Sequence, residues 1–164
     1  MPSTYEPIAT TTLGSTATSY TFSSISGSYT DLILISSVKI SSGAYDITVR
    51  LNGDTGTNYS FTNLYGNGSS AGSIRASNYT YAQLDYWGYT DTTNFNVNIA
   101  HFMNYSNSTT FKTILSRASN GATGTDANVC LWRNTNAITS IQVLSNGGTF
   151  TIGSTFTLYG IKSA

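Results

Sequence analysis

The sequence predicts an all-β fold: an antiparallel two-sheet sandwich, jelly-roll-like, with an extended N-terminal arm. Three observations carry this reading. Segments 45–51 and 95–103 alternate apolar and polar residues with a period of two. Turn signals rich in Gly, Asn and Ser recur every 8–12 residues or so, roughly the spacing of a sandwich. No segment holds a 3.6-residue period over three turns. The chain has 164 residues, enough for one domain with a sizeable core. A lipocalin-like barrel leaves a similar trace and stands second.

In chain order, Pro2 and Pro7 bracket an extended start. Residues 5–13 read as an arm or an edge strand, because proline cannot donate to a ladder. The division is an arm over residues 1–12 and one sandwich domain over 13–164. Residues 18–25 place Tyr20 and Phe22 on one face. The run 29–40 is the densest apolar stretch. Leu32, Ile33, Leu34 and Ile35 are consecutive, so a strand here asks for cover on both faces. It is read as the central strand. Residues 52–58 (NGDTGTN) form a loop, and 59–65 a short strand. Residues 66–72 (GNGSSAG) read as an exposed flexible loop. One or two strands follow within 73–87, then a turn at 88–92. In 95–103 the apolar phase puts Val97, Ile99, His101 and Met103 inward. Strands are expected at 111–117, 129–133, 138–144 and 155–162, each ended by Gly, Asn or Ser.

Composition narrows the function. Charged residues are 9% of the chain, against about 25% in an ordinary globular protein. Net charge is zero. No basic patch exists for nucleic acid, and weak self-repulsion suits a protein that assembles. No apolar run approaches the ~18 residues that span a bilayer, so no membrane role is expected. The N-terminus lacks the basic and apolar regions of a signal peptide, which points to folding in the cytoplasm where the chain is made. Cys130 is the single cysteine, flanked by Val129 and Leu131, and reads as a buried, inert thiol.

Chemical constellations are sparse. His101 is the only histidine and reads as a core or rim residue. Asp85 and Asp91 are spaced like a carboxylate pair, but they flank an expected turn and no Glu is near to act as a raised-pKa acid. Asn52, Asp54 and Asn58 supply oxygen ligands in a loop, half a calcium site without the closing Glu; a loop held by its own Asx turns is the stronger reading. Tyr86, Trp87 and Tyr89 lie beside the expected turn as candidates for stacking on a glycan. No catalytic residue, cofactor or resident metal is expected.

Five segments, YTFSSI–YTDL (20–32), RLNGDTGTNYS–LYGNGSS (50–70), FMNYSNSTTFKT (102–113), LWRNTNAITSI (131–141) and GSTFTLYGIK (153–162), together resemble a family of small β-rich virion proteins. These occur in tailed phages of aquatic bacteria, especially cyanophages, as separate chains or as the last domain of fibre-like proteins. The resemblance implies a structural component of the virion surface and no catalysis. The stand-alone length leans toward a capsid decoration or cement protein, binding the shell as a homo-oligomer, a trimer by analogy. Its partners would be copies of itself and the major capsid protein or a tail protein. Met1, Pro2, Tyr5, Pro7 and Ile8 of the arm would lie on a neighbour by strand addition. The alternative is a tail-fibre or receptor-binding module recognising host surface carbohydrate.

Overall fold

The computed structural model describes residues 4–162, without the side chains of residues 87–89. Among the described residues there are twelve strands and no helix. One sheet begins with β1 (Tyr5–Thr12), β12 (Thr155–Ile161), β3 (Asp31–Val38) and β8 (Asn96–Met103), side by side in that order. The other contains β2 (Ser19–Phe22), β11 (Ile141–Ser145), β4 (Tyr45–Leu51) and β7 (Ala82–Thr90). In chain order these eight change sheet at every step but one, β4 to β7, which pair within the smaller sheet, and every pairing is antiparallel. That interleaving is a jelly roll. Two inserted hairpins, β5 (Tyr59–Gly66) with β6 (Ala71–Tyr79) and β9 (Lys112–Asn120) with β10 (Gly124–Trp132), extend the first sheet to eight strands.

The N-terminal segment is extended, as expected, but it is not an arm separate from the domain. Tyr5–Thr12 is the edge strand of the large sheet, paired along its length with β12. Ile8 is the extra residue of a bulge between Pro7 and Ala9. A proline and a bulge are what an edge strand tolerates. Beyond the strand end, Lys162 Nζ donates to Glu6 Oε1 at 2.8 Å.

Three boundaries move for local reasons. Residues 66–72 are no flexible loop: the Asn67 side-chain oxygen accepts from the Ser69 and Ser70 amides and closes a tight turn, so β6 begins at Ala71. The turn expected at 88–92 comes later, because β7 runs to Thr90. Its register against β4 slips instead, with Tyr45 opposite Thr90 but Ile47 opposite Asp85. β10 starts at Gly124, five residues before the apolar run that marked it in the sequence.

The core between the sheets has two parts. One is apolar, with Leu32, Leu34, Leu51, Phe102, Ile141, Val143, Phe156 and Leu158 fully buried. Tyr20 stacks on Phe156 at 5.6 Å, and each such side chain contributes roughly 1.5–3 kcal/mol by leaving water. The other part is polar and lies under β7. β7 has a strand partner on one side only, β4. Facing it, the inserted hairpins and β8 present buried Asn63, Asn98, Ser116, Asp126 and Asn128. The Leu84 carbonyl accepts from Asn98 Nδ2 at 2.7 Å, Ser116 Oγ at 2.8 Å and Asn128 Nδ2 at 3.1 Å. Cys130 Sγ donates to the Gln83 carbonyl, and the Tyr86 amide donates to Asp126 Oδ2 at 2.8 Å. Side chains of one sheet thus complete the backbone of the other, as buried peptide groups require.

This layer corrects one expectation. In β8 the buried residues are Asn96, Asn98, Ala100 and Phe102, while Val97, Ile99, His101 and Met103 face outward. At Asn98 the inward phase belongs to asparagine because the Leu84 carbonyl of β7 needs a donor. Likewise the buried positions of β3 are Leu32, Leu34, Ser36 and Val38, while Ile33 and Ile35 point away from the core.

Asn63 donates to both Asp126 Oδ2 and Asn128 Oδ1 at 3.0 Å. Replacing it with Ala strands buried acceptors, and the Asn63→Ala variant should lose about 2–3 kcal/mol. Thermal melting followed by near-UV circular dichroism should show Tm lower by about 5–10 °C.

Candidate functional site

The sequence-selected residues scatter. Met1 and Pro2 lie outside the described residues, as do the side chains of Trp87 and Tyr89. Tyr5 and Pro7 sit on the outer face of β1, opposite Ile161 and Tyr159 of β12, while Ile8 packs against the core at the bulge. With β12 holding one side of this strand, residues 5–12 are not available as a free arm.

Asn52, Asp54 and Asn58 do not converge on a cation. Asn52 and Gly53 take positive φ, 53° and 68°, as an Asn-Gly turn requires. The Asn52 side chain turns away, donating to the Ala137 carbonyl and accepting from the Thr139 and Ser140 amides. Asp54 accepts from the Gly56 amide, Asn58 Nδ2 and Trp132 Nε1, the last at 2.7 Å. Tyr59 stacks on the buried Trp132 ring at 6.3 Å and closes this corner. The Asn52 and Asp54 oxygens that resembled calcium ligands are spent on anchoring a loop to β10 and to the 137–140 segment.

The acidic pair separates in role too. Asp85 is buried and accepts from Thr90 Oγ1 at 2.8 Å. Asp91 caps the next turn, accepting from the Thr93 and Asn94 amides and from Asn120 Nδ2. Cys130 is buried, and burial pushes its thiol up to about 12, far from a reactive thiolate. His101 Nε2 lies 2.9 Å from Asp31 Oδ2 on the outer face, and Asp31 Oδ1 accepts from the Asn104 amide. Among the described residues no group of three or more His, Cys, Asp or Glu is placed to hold a metal ion.

What the fold assembles instead is a surface. The outer face of the large sheet carries one cross-strand row of Pro7, Tyr159, Ile33, His101, Leu115, Val129 and Thr62. The adjacent row is Thr157, Ile35, Ile99, Arg117, Ala127 and Leu64. Leu64, Val97, Leu115 and Val129 are 59%, 43%, 45% and 50% exposed, so large apolar groups stand in water on four neighbouring strands. Two shallow depressions of about 440 and 350 Å³ adjoin here and share Ile99, Arg117 and Ala127. Beyond the His101–Asp31 pair, Arg117 is the charge at its centre.

The signal for this face was present in the sequence. Consecutive Leu32–Ile35 asked for two-sided cover, and the single chain covers one side. No protein-family model matches the chain, and no curated protein matches it either.

Burial raises the Asp54 and Asp91 carboxyls, yet their hydrogen bonds outweigh it and leave both below the ordinary 3.8. For Asp54 these come from Trp132, Asn58 and Gly56; for Asp91, from Asn94, Asn120 and Thr93. Both groups hold a proton less tightly folded than unfolded. Their contribution to stability is therefore complete above about pH 4 and drains away as pH falls through the folded values. Urea midpoints should stay level from pH 7 to 5 and fall below pH 4, with a shallower fall in Asp54→Asn.

Proposed function

We propose that this protein is a structural component of a phage virion, a decoration or cement protein that stabilises the head by binding the shell as a homo-oligomer. The observation that carries this reading is the exposed apolar face of the eight-stranded sheet. The likeness of five segments to small virion proteins supports the setting. The site residues give no competing chemistry: the single thiol is buried, and the carboxylates of Asp54, Asp85 and Asp91 accept hydrogen bonds that hold loops and strands.

The mechanism is adhesion. Seven strands, from β1 to β5 across the sheet, with about seven residues each, give a footprint of about 800 Å². One partner contributes roughly that area to a standard stable interface. The occupant assigned to this face is a second copy of the chain, with a trimer as the assembly. A near-zero net charge leaves little long-range repulsion to oppose contact. Once copies are joined, each binding event on an assembled shell favours the assembled state by mass action, without turnover. The protein would then reside on the virion surface after synthesis in the host cytoplasm. The adhesive surface is the flat of the sheet; β1 contributes Tyr5 and Pro7 at its margin.

Sedimentation equilibrium at micromolar concentration should give an oligomer, with a trimer mass expected. The double variant Leu115→Asp, Val129→Asp should weaken association by at least about 100-fold, since each apolar group is worth about 1.5–3 kcal/mol when buried. Its far-UV circular dichroism should match the wild type. A monomeric wild type would refute self-association, and equal occupancy of mature heads by variant and wild type would refute use of this face.

A further inference from the structure

A second concave feature lies away from the adhesive face, where the β5–β6 hairpin overhangs the end of the smaller sheet. It is lined by Asp46 of β4, Ile74 and Tyr79 of β6, Tyr81 of the β6–β7 turn, Tyr86 of β7 and Asn146 just after β11. Its volume is about 440 Å³, within the range of roughly 300–1,000 Å³ typical of small-ligand sites. We propose that this groove binds a neutral pyranose unit of a surface polysaccharide.

Three observations point to that ligand. The first is aromatic geometry. Tyr79 and Tyr81 meet at 5.4 Å with their ring planes 79° apart, so they form two walls of a corner. Phe61 lies behind them in the core, 5.3 Å from the Tyr79 ring and 5.1 Å from the Tyr86 ring. Rings braced in this way lose little freedom when a ligand arrives. Their faces are electron-rich and suit the C–H-lined face of a sugar ring, whose hydrogens carry slight positive charge.

The second is polar placement. The Asn146 amide donates to the Asp46 carbonyl at 3.0 Å, which sets the two residues side by side. Asn146 Nδ2 donates to the Tyr81 hydroxyl at 3.1 Å. A carboxylate, a carboxamide and a phenol thus rim an aromatic corner, the set of groups that pairs with sugar hydroxyls.

The third is charge. The lining includes one carboxylate and no cation. Arg50 is turned to the β6–β7 turn, its Nε donating to the Thr80 carbonyl at 3.3 Å. An anionic ligand such as a phosphate or a sialylated sugar would meet the Asp46 carboxylate in the lining. A neutral polyol meets no such opposition. The groove involves inward residues of β6, so a bound sugar would leave the Leu115–Val129 face free. Of the aromatic residues that sequence reasoning singled out for glycan contact, Tyr86 falls in this groove. The proposal does not depend on how the chain assembles.

The test uses the full-length protein labelled with ¹⁵N and titrated with maltoheptaose, cellohexaose, mannohexaose and chitotetraose. At least one should shift the amide signals of Asp46, Tyr79, Tyr81, Tyr86 and Asn146 in a saturable way. Tyr81→Ala should weaken that binding at least tenfold. Asn146→Ala, altered outside the strands, should weaken it severalfold with the remaining spectrum unchanged. Absence of saturable shifts with all four sugars overturns the proposal. So does binding that survives Tyr81→Ala, or shifts that fall outside the groove.

Discussion

The carbonyl of Leu84 is the point on which the two sheets are fastened. It belongs to β7, a strand with one strand neighbour, and it receives hydrogen bonds from three strands of the opposite sheet. A buried carbonyl without partners costs on the order of 1–3 kcal/mol, so the face opposite β7 must supply donors. That requirement explains Asn98 inside β8, Ser116 inside β9 and Asn128 inside β10, while Asn63 of β5 acts at one remove by donating to Asp126 and Asn128. It explains the inserted β9–β10 hairpin as well, which extends the large sheet and brings donors to β7, and β5 braces those donors through Asn63.

The same requirement decides which residues face water. An inner face given over to Asn98, Ser116 and Asn128 sends the alternate positions of those strands outward, and these are Ile99, Leu115 and Val129. In β3 both sets are apolar. The sandwich is therefore polar in part of its centre and apolar over part of its outside, the reverse of the usual alternation in an antiparallel sheet.

The fold class was legible because strand length and turn chemistry are local. Tyr45–Leu51 alternates strictly, and β4 has those ends. The facing of β8 was not legible. Hydrophobicity placed Ile99 and Met103 inward, and nothing near them in sequence announces that the opposing layer is a backbone in need of donors. The tight turn after Gly66 was missed because a side chain, Asn67, holds it, where composition suggested looseness. The loop at 52–58 held itself by Asx-type bonds as expected, though its tie to Trp132 spans 78 residues and has no local trace. The tyrosine groove draws on three separate stretches of chain, at 46, 74–86 and 146, so the sequence offered Tyr86 without all the neighbours that give it a role.

The bulged, proline-bearing margin of β1 has a bearing on what kind of particle these chains can build. A straight, fully furnished edge would invite another chain to add its own strand, and then another, with nothing to stop the series. Here Pro7 removes a donor and Ile8 breaks the spacing of the rest. Sideways accretion is discouraged, and contact through broad faces becomes the favoured way for copies to meet. Where the rotation between copies closes, a union of that kind ends at a fixed number of members, which is what an object of defined size demands of its parts.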